Sequence, residues 1–248
     1  YKIKMYEIPE GKRATRGKSV MNFLSLEAEE RITSILPMPK DIKKDKEKGS
    51  LVMTTKNGVS KRVAAESFHD VRRSGLIAIK LSNGDDLISA DFITKEDDVI
   101  VSTKEGQSIR FKSGDIREMG RTASGVKAIR LKKGDFVVGA DVVKKEYKNP
   151  QLLVLSANGY GKKTDLKEYK VQNRGGSGIK TVKITSKTGK LIAAKVVTEN
   201  LNEIIAISKN GQVIRSGLEG IPNSGRQTQG VRVMKLREGD AIASLVCL

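Results

Sequence analysis

Little in this sequence can carry out covalent chemistry. The 248 residues include one cysteine, Cys247, so no intrachain disulfide can form. They include one histidine, His69, so no Cys/His zinc site can be assembled. A Ser–His–acid triad would depend on His69, which lies in the polar stretch ESFHDVRR and reads as a loop residue. Tryptophan is absent, and Phe, Trp and Tyr together make up 4%. Single-strand and RNA binders rely on stacking aromatics, so the sequence is poorly equipped for that mode. No apolar run approaches the roughly 18 residues of a membrane span, and no charged-then-apolar leader opens the chain. No segment of helix length keeps apolar residues at i, i+3, i+4 and i+7. GKRATRGKS (11–19) resembles a nucleotide phosphate loop, but one residue too many separates Gly11 from Gly17, and strand-like VMNFL follows where a helix should start. The acids of SNGDD and KKGD sit at turn tips, where Asp is favoured. The reading is a chain with no catalytic residue, no metal and no cofactor.

What is abundant is positive charge. Lys and Arg number 47 against 29 Asp and Glu, a formal net charge of +18. Holding so much like charge together costs stability, and its usual counterpart is a polyanion, most often nucleic acid. The 38% hydrophobic content falls in short regular runs, which argues against disorder. The chain opens at Tyr1 rather than Met and inside a repeat, so it reads as a fragment.

That repeat governs the sequence. A short apolar run, a turn with glycine, and a second run ending in a cation recur as LVMTTKNGVSKR, DVIVSTKEGQSIRF, QLLVLSANGYGKK and NEIIAISKNGQVIR. The turn glycines are Gly58, Gly106, Gly159 and Gly211, separated by 48, 53 and 52 residues. Each is followed by a second piece, such as GRTASGVKAIRLKKGDFVVGADVV (120–143). An earlier copy at 12–38 has no complete hairpin before it; only a last strand, YKIKMYEI, is left. The Val/Ile runs and Asn-Gly turns predict strands and hairpins, four strands to a unit. Units of this length fit the blades of a propeller. Two adjacent small residues in every last strand (Thr33-Ser34, Ser89-Ala90, Gly139-Ala140, Ala193-Ala194, Ala243-Ser244) predict close backbone approach near a common axis. KDIKKDKEKGS (40–50) and the Asn149-Pro150 pair read as solvated loops rather than domain boundaries, so residues 1–248 form one domain.

The cations keep register with the repeat. Arg62, Arg110, Lys163 and Arg215 lie four residues after the turn glycines, and Lys2 aligns with them. A second column, four residues before a later glycine, holds Arg13, Arg121, Arg174 and Arg226, with Arg72 and Arg73 adjacent in the remaining copy. A third, two residues after that glycine, holds Lys127, Lys180 and Arg232. One cation at one phase of every blade makes a basic belt around a disc, along which double-stranded DNA could bend. Phosphate contacts carry no sequence information, so sequence preference should be weak. On this reading all these residues are DNA-binding. Replacing Arg62, Arg110, Lys163 and Arg215 together should weaken binding with little loss of fold. The alternative is a solvated basic face, or a propeller that binds an acidic protein.

EIPEGKRATRGKSVMNFL, EERITSILPM, TTKNGVSKR, REMGRTASGVKAIRL, NGYGKKT, NRGGSGIKT and GRQTQGVRVMKLREGD resemble the C-terminal domain of the DNA gyrase A protein and, next to it, that of the corresponding topoisomerase IV protein. The likeness covers essentially all of the chain. It implies an all-β, propeller-like β-pinwheel of about six four-stranded blades with strand exchange between them, the first blade incomplete here. It also implies a non-catalytic module that wraps duplex DNA so that strand passage by the holoenzyme introduces negative supercoils. The implied partners are double-stranded DNA, the gyrase A N-terminal cleavage core and gyrase B, in the bacterial cytoplasm. The family's gyrase-A box is missing. Gln172–Gly178 (QNRGGSG) is a box-like copy with Asn and Ser at two normally basic places, so only Arg174 and the loop backbone carry over. RGGSG reads equally as a phosphate cradle or as a loop that needs glycine.

Overall fold

The computed structural model describes residues 1–12, 16–27, 30–38 and 49–248. Its strands, in chain order, are β1 (Ser50–Thr55), β2 (Val59–Ala64), β3 (Leu87–Ile93), β4 (Asp98–Thr103), β5 (Gln107–Lys112), β6 (Val126–Lys127), β7 (Val137–Val143) and β8 (Gln151–Ser156). They continue with β9 (Tyr160–Asp165), β10 (Ile179–Lys180), β11 (Leu191–Val197), β12 (Glu203–Ser208), β13 (Val213–Gly217), β14 (Val231–Arg232) and β15 (Ile242–Cys247). They form antiparallel sheets ordered β3-β1-β2-β6, β7-β4-β5-β10, β11-β8-β9-β14 and β15-β12-β13. The all-β, propeller-like architecture is as the repeat predicts.

Every blade with a fourth strand takes it from the following repeat. The two-residue strands β6, β10 and β14 leave their own hairpins and pair with β2, β5 and β9. The chain then returns to its own blade as the innermost strand β7, β11 or β15. The inner strands pack beside one another, and the small residues are what allow it: a Cβ on Gly139 of β7 would collide with the Ala194 carbonyl of β11. The third run of each unit is shorter as a strand than its sequence suggests. After two paired residues the chain turns over the tip of the neighbouring hairpin. The Ala128, Thr181 and Val233 N–H groups donate to Gly58, Gly106 and Gly159 O at 2.8, 2.9 and 2.8 Å.

The core lies between sheets rather than within one. Val99 and Val101 of β4 pack with Val52 and Ile93 of the preceding blade, whereas Ile100 packs with Leu152 and Val154 of the next. Both faces of β4 are buried, which explains its unbroken apolar run. At one end of the blades, turn aspartates tie the two hairpin tips together. Asp85, Asp135 and Asp240 Oδ1 accept the Asn57, Glu105 and Asn210 N–H at 2.8, 3.0 and 3.1 Å. At the other end, short 3-10 turns follow β2, β5, β9 and β13.

The first repeat departs from expectation. Its described residues contain 3-10 turns at Met5–Glu7 and Val20–Asn22 but no strand, so YKIKMYEI and Thr33-Ser34 do not extend a sheet. A strand needs a ladder partner, and none is seen for these runs among the described residues. Most of the 40–50 run lies outside the described residues; Asn149 takes φ 45°, in keeping with a loop.

A candidate nucleic-acid interface along the rim

The four-residues-after-glycine column crosses the seams between blades. Lys2 Nζ donates to His69 O at 2.6 Å, Arg62 Nη1 to Ser113 O at 3.4 Å, Arg110 Nη1 to Leu166 O at 2.9 Å, and Lys163 Nζ to Leu218 O at 2.7 Å. Each acceptor lies in, or just after, the 3-10 turn of the following blade. Arg110 also holds Asp98 through Nε and Nη2 at 2.9 and 2.8 Å. Arg215 follows the last hairpin, and its guanidinium bonds Glu203 on its own sheet. Arg62 is only 6% exposed, so a phosphate cannot reach it without disturbing the seam. Lys2, Arg62, Arg110 and Lys163 thus fasten blades together. The expectation that their joint removal leaves the fold nearly untouched is corrected by this bonding.

The second column divides. Arg72, Arg73 and Arg121 are exposed, and Arg13 lies outside the described residues. Arg174 and Arg226 are half-buried and grip the preceding blade's outer strand: Arg174 Nη1 donates to Lys127 O and Arg226 Nη1 to Lys180 O, both at 3.1 Å. Arg174 Nε adds a bond to Asp115 O at 2.8 Å. The box-like loop is shaped by packing. Gly178 takes φ +69°, and a Cβ there would sit 2.6 Å from Ser108 O. The Gly175 N–H donates to Ala128 O at 2.6 Å. Of the two readings of RGGSG, these bonds favour the glycine-requiring loop.

The third column is exposed at the outer edge. Lys127, Lys180 and Arg232 end the outermost strands, with Arg232 Nη2 on the Tyr160 hydroxyl at 3.1 Å. A fourth column, which the sequence reading missed, follows on the same run: Lys80, Arg130, Lys183 and Lys235, each five residues after the later glycine and each exposed. Counting on from Gly75, Gly125, Gly178 and Gly230 would have found it. The N–H groups of Lys80, Arg130 and Lys183 donate to Ala123, Gly176 and Thr228 O of the next repeat's loop, at 3.3, 2.8 and 3.0 Å. That bond sets Lys80, Arg130 and Lys183 each beside the loop carrying the next second-column arginine. The rim charge therefore gathers at the seams, as Lys80 with Arg121, Lys127 and Arg130 with Arg174, and Lys180 and Lys183 with Arg226.

A family model described as the DNA gyrase C-terminal domain, β-propeller, matches residues 1–37, 49–94, 97–144, 150–198 and 202–248, one segment per repeat. The chain is 39% identical over 247 residues to the DNA gyrase A protein of Mycolicibacterium smegmatis, covering 99% of the chain and 28% of that relative. It is 38% identical over 245 residues to the DNA gyrase A protein of Staphylococcus epidermidis, covering 99% of the chain and 27% of the relative. It thus spans little more than a quarter of these relatives. Among solved structures, a DNA gyrase A C-terminal domain superposes with a TM-score of 0.82 at 29% identity, covering 100% of this chain and 78% of that one. A topoisomerase IV C-terminal domain gives 0.84 at 21% identity, covering 94% and 70%, a likeness of fold.

Proposed function

The chain belongs to the DNA gyrase C-terminal domain family, and from that premise we propose that it is the non-catalytic DNA-wrapping domain of a gyrase A protein. Duplex DNA bends along the rim, meeting one cation cluster per seam. The gyrase A cleavage core and gyrase B then pass the segment so presented through a cleaved duplex, and negative supercoils result. The observation that carries this reading is the repeated seam cluster, in which backbone bonds hold a fourth-column cation against the next blade's arginine loop. A stiff duplex costs on the order of 1–6 kcal/mol to bend by 40–90° over 20–30 bp, and several evenly spaced phosphate contacts can offset that cost. The contacts assigned to DNA are Arg121, Lys127, Lys180 and Arg232 with Lys80, Arg130, Lys183 and Lys235, supported by Arg72, Arg73, Arg174 and Arg226. Lys2, Arg62, Arg110 and Lys163 hold the seams instead, and Arg215 pairs with Glu203 on its own sheet.

Ligation of nicked circular DNA in the presence of the protein tests the reading: wrapping traps a change in linking number. Tight binding with no such change rejects wrapping. Affinity that is insensitive to salt rejects the phosphate track altogether and favours an acidic protein partner, because counterion release makes log K fall with log salt by about 0.9 per phosphate.

A further inference from the structure

The residue just before the seam-crossing cation alternates along the chain: Lys61, Ile109, Lys162, Ile214. Both lysines are fully buried, at 0% exposure. Lys162 Nζ donates to Gly225 O at 2.5 Å and Arg226 O at 2.8 Å. Lys61 Nζ donates to Ala78 O at 2.8 Å and also to Arg121 O. Each ammonium thus grips, from beneath, the carbonyl of a second-column arginine in the loop that the next repeat lends to the lysine's own blade. Where the loop has the form G-R-x-x-x-G (120–125 and 225–230) the residue below is lysine. Where it is R-G-G-S-G (174–178) the residue below is Ile109, and a Cβ on Gly176 would lie 3.5 Å from its Cδ1.

The fold itself accepts an aliphatic side chain at this place, as Ile109 demonstrates. Burying a charge there is costly, and replacing buried charges by apolar residues is often neutral or stabilising. No carboxylate lies within ion-pair distance of either ammonium among the described residues; the bonds go to carbonyls. Their charge is left to act on whatever anion lies over the loop.

We propose that Lys61 and Lys162 are positioning residues for the duplex: each fixes the backbone of an arginine-bearing rim loop and holds a positive charge, with no carboxylate in ion-pair contact, beneath the phosphate track. The proposal rests on the DNA-wrapping reading. It makes binding depend on the charged state of these lysines. Burial pushes the Lys162 ammonium down from 10.5 to about 8, with Arg226 pushing the same way and the Glu168 carboxylate opposing; Lys61 is lowered by burial as well. A phosphate overhead favours the charged form, so binding draws a proton from solvent near that pH.

The test is duplex affinity at fixed salt from about pH 7 to about pH 9.5, for the wild type, Lys162→Met, Lys61→Met/Lys162→Met and Lys162→Arg. The wild type should weaken roughly 5-fold more than the double variant across this range, a typical coupling. The Met variants should already be weaker at neutral pH, and Lys162→Arg should hold its affinity to the alkaline end. A merely structural lysine would not produce a flat, strong profile in the Arg variant. Calorimetry of wild-type binding in two buffers of different ionisation enthalpy, near pH 8, keeps the test independent of variant folding. Absence of proton uptake, or wild-type and Met profiles that coincide, overturns the clamp while leaving the rim track intact. Failure of the wild type to bind duplex overturns both.

Discussion

Arg110 and Arg215 occupy the same phase of the repeat and pair with an acid at the same register, Asp98 and Glu203 respectively. They differ in what lies beyond. Arg110 sits in a seam, with 20% of its side chain exposed and Asp98 at 5%, and it also reaches the Leu166 carbonyl of the next blade. The Arg215 pair has side chains 67% and 37% exposed and no blade to fasten. Removing one partner of a buried ion pair costs about 3–5 kcal/mol. Lys112, 2.9 Å from Asp98 Oδ1, moderates that loss, and the carbonyl bond adds about 1 kcal/mol to it. Arg110→Ala should therefore cost about 3 kcal/mol, a large share of a stability of about 5–15 kcal/mol. Arg215→Ala should leave stability close to that of the wild type, because solvent screens an exposed pair and its two side chains lose little by parting. Urea midpoints for the two variants measure the difference. Adding Asp98→Ala to Arg110→Ala should restore part of the loss, because the orphaned buried carboxylate goes with it. Equal small shifts, or a loss of DNA affinity in Arg110→Ala with stability unchanged, would show that this column faces phosphate and that the seam assignment is wrong.

Lys162 gives stability a pH dependence of opposite sign to that of binding. Its folded value of about 8 lies below the unfolded 10.5, so between these pH values the unfolded chain holds the extra proton and stability climbs. From about pH 7.5 to about pH 9.5 the gain should be about 2 kcal/mol, read as the difference in urea midpoint shifts between the wild type and Lys162→Met; a wild type no more alkali-stabilised than the variant refutes it. Replacing Lys80, Arg130, Lys183 and Lys235 together by Ala should change stability by under about 0.5 kcal/mol per site. It should also flatten the slope of log K against log salt by up to about 0.9 for each phosphate lost, and an unchanged slope would remove this column from the interface.

Legibility in the sequence followed from what a local pattern can encode. The turn glycines were readable because a tight hairpin needs φ > 0, and Gly58, Gly106, Gly159 and Gly211 all take φ of +76° to +80°. The small pairs of the inner strands were readable because crowded backbones exclude large side chains. The phase of a cation on a strand was readable too, but phase says which side of the sheet a residue faces, not what stands there. Arg62 and Arg130 each keep a constant distance from a glycine, yet one faces the next blade's 3-10 turn and the other solvent. That distinction is set by the exchange of short strands, which the resemblance implied and the spacing alone did not. The Lys61/Ile109 alternation escaped for a related reason: a lysine in a strand reads as exposed until a neighbouring loop is placed over it. Runs 1–8 and 30–38 have strand-like composition but no ladder partner among the described residues, and composition cannot supply one.

Because the outer strand of one blade is drawn from the repeat that comes after it, severing the chain and separating two blades are different events. A nick between Asn149 and Pro150 would leave β10 on one fragment and β5 on the other, still laddered together, with Arg110 still hooked over Leu166. An outward tug from a taut polymer is thus resisted by interlocked main chain at each joint, as in a braid, rather than by side-chain packing alone.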